Sequence, residues 1–159
     1  MAVSEAKMAK AKEVYDRLVA ALRAKEWEFT PHEEDLVIVS GCTGDDFPIQ
    51  FLFKADAGRE CLSFHTNKFV KFEDDKLLDA AYAVAVANHG MVFGHFDLNL
   101  NDGSIIYTMS NSFVDADLGG GFFFDMLMTA VNTTDKYNDR FIMLSKGMID
   151  LKKFIELEG

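Results

Sequence analysis

The sequence predicts a single α+β domain in which an antiparallel sheet packs with helices, in the order α-β-β-β-α-β-β-α-α. Three observations predict it. Apolar residues recur at helical spacing near both ends and in the middle of the chain. Three strand-like runs follow one another with short links between residues 36 and 66. An alternating run on each side of an Asp-Gly pair marks a hairpin. At 159 residues the chain has the size of one domain, and residues 1–159 are read as a single unit with its own core.

Each element follows from its own pattern. In residues 4–25, Val14, Leu18 and Ala21 fall on one side with Tyr15, Val19 and Leu22 beside them, the 3.6-residue period of an amphipathic helix. Ser4 is placed to cap its first turn. The tract TPHEED that follows Trp27 and Phe29 reads as a turn, because Pro31 fixes its own φ and biases Thr30 away from helix. Leu36–Ser40 is a β-branched run suited to a central strand, and GCTGDDFP reads as the loop after it. From Ile49 to Lys54 the pattern alternates, with Ile49, Phe51 and Phe53 on one face. Asp56-Ala57-Gly58 turns the chain into a third strand, Cys61–Thr66, with Leu62 and Phe64 opposite Cys61, Ser63 and His65.

Asp74 and Asp75 open a second helix where acids favour the dipole, and Leu77, Leu78, Ala81, Tyr82, Val84 and Ala85 read as its apolar face. Asn88-His89-Gly90 stops it. VFGHFDLNL, NDG and SIIYTMS then form the hairpin. After three glycines a long helix is expected over 122–145, with the stripe Phe123, Leu127, Ala130, Tyr137, Phe141 and Leu144. A last amphipathic piece is expected over Met148–Leu157.

Charge narrows the partners. A net charge of −10 repels phosphate backbones and anionic lipid heads, which argues against nucleic acid and membrane surfaces. The first 25 residues are basic, so the acidic excess lies in the body, where it suits either solubility or a basic protein segment. Two cysteines do not make a disulfide scaffold, and MAVSEAKMAKAKEV lacks the apolar stretch of a signal peptide. A cytoplasmic location is the expectation, and no window is long and apolar enough to span a bilayer.

The candidates for chemistry are weak. Gly119-Gly120-Gly121 precedes a helix, but neither a Gly-Lys-Ser/Thr sequence nor G-x-G-x-x-G spacing accompanies it. Asp115, Asp117 and Gly120 echo the start of a calcium loop, but Met126 stands where the bidentate Glu would be needed. His95 and Asp97 share a strand face that His65 on another strand is able to approach. Cys61 or Cys42 beside His65 would be needed for a thiolate pair, and a strand thiol more often fills space. No catalytic residue, cofactor or metal site is assigned. The third helix carries more weight: Phe122, Phe123, Phe124, Met126, Leu127, Met128 and Val131 make its first three turns apolar almost all round, and Phe122, Phe124, Met126 and Met128 are in excess of what one sheet face needs. They are the candidate residues for a dimer or partner interface.

The segment MVFGHFDLNLNDGSIIYTMSNSF, preceded by helix, three strands and helix and followed by a long helix, resembles the YbjN-like bacterial family. Members of that family are similar in fold to the class I type III secretion chaperones. The resemblance implies a twisted antiparallel sheet against helices, often dimeric, with no catalytic residues to carry over. In the chaperones an acidic homodimer holds an unfolded effector segment by sheet-edge pairing and apolar grooves. This chain departs from them in its basic first helix and its extra C-terminal helix. The expected function is a non-enzymatic protein-binding module, chaperone-like or regulatory, acting as an acidic homodimer. The alternative is a small-molecule sensor with a pocket between sheet and helices.

Overall fold

A computed structural model describes residues 3–158. Helix α1 (Glu5–Ala24) starts where Ser4 caps it, the Ser4 hydroxyl accepting from the Lys7 N–H at 3.4 Å. Strand β1 (Phe29–His32) and a 3₁₀ turn (Glu33–Asp35) come next, followed by β2 (Val37–Thr43), β3 (Pro48–Asp56), β4 (Cys61–Thr66) and the two-residue β5 (Val70–Lys71). A second 3₁₀ turn (Asp74–Lys76) leads into α2 (Leu77–Asn88), the hairpin β6 (His95–Asn99) and β7 (Ser104–Ser112), then α3 (Gly120–Ser145) and α4 (Leu151–Glu156).

The strands form one open, seven-stranded antiparallel sheet in the order β1-β2-β3-β4-β7, with β6 on the far side of β7 and β5 pairing with the start of β7. The predicted meander is present as β2, β3 and β4, with Ile38 opposite Phe53 and Phe53 opposite Phe64. The hairpin turns at Gly103, whose φ of +71° excludes most side chains; a Cβ there would lie 2.0 Å from the Phe72 carbonyl oxygen.

Three local readings are corrected. TPHEED is not only a turn, because its first half is β1, in which Pro31 lies opposite Ile38 at the rim of the sheet. An edge strand tolerates proline because its outer N–H groups have no ladder partner. The strand expected over Leu36–Ser40 starts at Val37, after Leu36 turns left-handed, and runs on to Thr43 through the first part of the expected loop, where Gly41 leaves room for the Gln50 side chain. The terminal helix is shorter than Met148–Leu157: Asp150 caps it, accepting from the Lys153 N–H at 2.8 Å.

One sheet face and the helices enclose the core. Ile49, Phe51, Phe53, Leu62, Phe64, Ile105 and Tyr107 point to it, and Val14, Tyr15, Leu18 and Leu22 of α1 meet them. The whole predicted stripe of α3 is buried. Aromatic rings knit the far end, with Phe141 at 5.0 Å from Phe96 and 5.2 Å from Phe154, the buried ring by which α4 enters the core. The chain end is tied down as well: Tyr137 donates to Glu158 Oε2 at 2.5 Å, and Arg140 pairs with the same carboxylate. Burial first and Glu158 second push the Tyr137 phenol up to about 12.

Candidate protein-binding surfaces

The start of α3 is mostly consumed by its own chain. Gly120 lies beside Ala21, where an added Cβ would make ordinary van der Waals contact at 3.7 Å, and α1 packs on α3. Phe123 is fully enclosed. Met126, expected on the partner surface, is 1% exposed, and its sulfur receives the Asn111 amide at 3.6 Å; it belongs to the core. Phe122 and Phe124 are half-buried, and Met128 is too. Phe124 already has company, with Trp27 edge-on at 6.4 Å and the Lys25 ammonium 5.2 Å over its ring. Three of the four candidates therefore keep an open side, and that side is smaller than the sequence suggests. Asp117 ties the segment before α3 back to Arg17 of α1.

Helix α2 holds the larger surprise. Only part of its expected apolar face is buried: Leu77 and Val84 pack against the core and Ala80, Ala83 and Ala87 point inward, while Leu78 is 84% and Tyr82 64% exposed. Alanines allow the helix to sit close to β6, α3 and α4, and the larger side chains are turned out. Leu78, Ala81, Tyr82 and Ala85 follow the i, i+3, i+4, i+7 pattern and form a continuous exposed strip. Val92 and Phe93, in the loop before β6, are also 83% and 56% exposed. From Leu77 to Phe93 the only acid or base, histidine aside, is Asp79, in a chain of net charge −10. The sequence signal for this arrangement is the alanine spacing 80, 83, 87, which competes with the Leu-Tyr spacing and favours closer packing.

Asn88, the last residue of α2, clamps β6. Its amide donates to the Phe96 carbonyl at 3.0 Å and accepts from the Phe96 N–H at 2.8 Å. The side chain thereby takes the place of a neighbouring strand at that residue.

The opposite sheet face is open or half-open. One rung runs across it as Val39, Leu52, His65, Thr108 and His95. The expectation that His65 approaches His95 and Asp97 holds to that extent. His65 Nδ1 lies 3.3 Å from Thr108 Oγ1, and His95 Nε2 lies 3.3 Å from Asp97 Oδ1. Burial lowers the His65 pKa, opposed by the attraction of Asp97. Among the described residues no group of three His, Cys, Asp or Glu is arranged to hold a metal ion. Burial raises both thiols, with Asp135 adding to it at Cys42 and Asp56 at Cys61, and these shifts run against a nucleophilic thiolate. Among the described residues no helix is long and apolar enough to cross a membrane.

Comparison with known proteins gives the fold a context. No curated protein matches the sequence. Among solved structures, a chain of the HopA1–SchA chaperone–effector complex superposes with a TM-score of 0.58 at 12% identity, covering 83% of this chain and 97% of that one. YbjN from E. coli, described as a putative transcription regulator, gives 0.59 at 10% identity over 84% and 92%. A chain of the ExsC–ExsE complex gives 0.53 at 13% identity over 82% and 94%. At these identities the likeness is one of fold, and it extends nearly the full length of each neighbour. The profile of the YbjN family, described as "Putative bacterial sensory transduction regulator", matches residues 15–143, from α1 nearly to the end of α3, and the chain belongs to that family.

Proposed function

We propose that this chain is a non-enzymatic protein-binding module, chaperone-like or regulatory, that works in the cytoplasm as an acidic homodimer. The observation that carries the reading is the uncovered apolar strip of α2, Leu78, Ala81, Tyr82 and Ala85. Apolar side chains so exposed and so contiguous are the mark of an interaction surface. A second copy is the occupant proposed for it. Two bodies of charge −10 repel each other wherever carboxylates face, and this strip carries one acid in seventeen residues, so a two-fold contact there avoids the repulsion.

Phe122, Phe124 and Met128 are proposed as the surface for a different protein. They are half-buried, aromatic or flexible, and they lie on α3 beside the basic α1. The fold shared with chains of two complexes, one of them named as chaperone and effector, supports a protein partner.

Sedimentation across a wide concentration range tests the first part. The expected species has about twice the 17.8 kDa mass of one chain, and Leu78→Glu with Tyr82→Glu is expected to return it to a monomer of unchanged fold. A monomer at every concentration sinks the homodimer. Affinity capture from the native cell tests the second part: Phe122→Asp with Phe124→Asp is expected to lose the captured protein while the dimer persists.

A further inference from the structure

A cleft of about 310 Å³ opens between α3 and the sheet, away from both surfaces described above. Its floor is one face of α3, Thr134, Asn138 and Ile142, four residues apart along the helix. Its walls are the start of β3, with Phe47 and Ile49, and the segment after β4 that leads to Phe69. The lip is held in place: the Asp135 carboxylate accepts from the Asp45 N–H at 3.1 and 3.2 Å, and Gly44 is packed so tightly under it that a Cβ would lie 1.9 Å from Oδ1. Such a cleft does not have to form around its occupant.

Asn138 is the odd residue in it. It is 2% exposed, its Oδ1 accepts from the Asp139 N–H at 2.6 Å, and its Nδ2 has no hydrogen-bond partner among the described residues. The accepted bond settles which end of the amide is left over. What remains is a buried donor with nothing to donate to, on the floor of a cleft lined by Phe47, Ile49, Phe69 and Ile142 together with the neutral polar side chains of Gln50 and Asn67. Buried polar groups are almost always satisfied, so an unpaired one beside a cavity points to an acceptor supplied from outside.

We infer that this cleft binds a small, uncharged molecule with an apolar body and a carbonyl oxygen, the carbonyl accepting from Asn138 and the body lying against Phe47, Ile49, Phe69 and Ile142. The surroundings decide against charge. Among the described residues no carboxylate lines the cleft, so nothing there favours a cation. Lys68, the cation at its rim, is already paired with Asp102 at 2.5 Å, and the body as a whole repels anions. The inference stands apart from the protein-binding reading, and neither requires the other.

The test is an NMR titration of the full chain with three probes of similar shape: 4-phenylbutan-2-one, butylbenzene and 3-phenylpropanoate. The ketone is expected to shift the signals of Asn138, Ile142 and Phe69 and to bind about tenfold tighter than the hydrocarbon or the carboxylate. Asn138→Leu, which removes the donor and keeps the bulk, is expected to bring the ketone down to the hydrocarbon. Ile142→Trp, which fills the cleft from its half-exposed side, is expected to abolish binding of both and still decides the matter if the first variant fails to fold. The inference is overturned if none of the probes reaches these signals at millimolar concentration, if ketone and hydrocarbon bind alike, if the carboxylate binds tightest, or if Asn138→Leu keeps the ketone affinity.

Discussion

Helices α2 and α3 are both rich in apolar residues, yet they bury opposite kinds of side chain. In α3 the inward stripe is large: Phe123, Leu127, Tyr137, Phe141 and Leu144, with one alanine among them. In α2 the inward stripe is Ala80, Ala83 and Ala87, and the bulk of Leu78 and Tyr82 is turned to solvent. The difference teaches that an apolar residue is not by that fact a core residue. The space left by the neighbours selects which stripe goes in, and α2, between β6 and the helices α3 and α4, fits only if its inward face is small.

Substitutions sharpen this contrast. Phe141→Ala removes a ring that meets Phe96, Tyr137, Phe69 and Phe154, and it is expected to cost about 3–5 kcal/mol in chemical denaturation, enough to threaten the fold. Ala83→Leu adds bulk to the close face of α2; a loss of about 1–3 kcal/mol is expected, and a neutral result would show that the helix is not closely seated. Leu78→Ser on the outer face is expected to change monomer stability by no more than about 0.5 kcal/mol while weakening self-association, read by unfolding and sedimentation together. The same helix is thus expected to tolerate loss of a large outward residue better than growth of a small inward one.

A smaller effect separates the two faces of the sheet. His65 sits on the open face, and its folded pKa lies below the ordinary histidine value because burial disfavours the charge. Between those two values the unfolded chain binds more protons than the folded one, so stability falls as pH drops through the mid-acid range. Urea midpoints measured at pH 7 and pH 5 are expected to differ more in the wild-type chain than in His65→Gln. An identical difference in both would remove His65 from the account.

Much of the architecture is legible because it is written locally. Ser4, the Asp-Gly turn and the alternation in β3 each act through neighbours a few residues away, and the meander, the hairpin and the α3 stripe are as expected. Strand β1 escapes notice because Pro31 speaks against a strand in isolation, and only the finished sheet reveals that its position is at the rim. Two-residue β5 has no periodicity to detect. The candidate surface is legible in part. The apolar excess at the start of α3 is real, but Trp27 and α1 absorb much of it, and both are distant in sequence. The face of α2 is misjudged for the same reason: hydrophobic spacing reports which residues can be buried, and the partners that decide lie elsewhere in the chain.

Pro31 at one margin of the sheet and the Asn88 amide at the other have a consequence for the protein at high concentration. A passing polypeptide that tries to extend the ladder finds a missing hydrogen on one side and an occupied pair of groups on the other, so templated fibre growth is discouraged at both ends. Contacts through broad side-chain patches meet no such obstacle, and there fit and charge discriminate among visitors in a way that main-chain hydrogen bonding, common to every protein, does not.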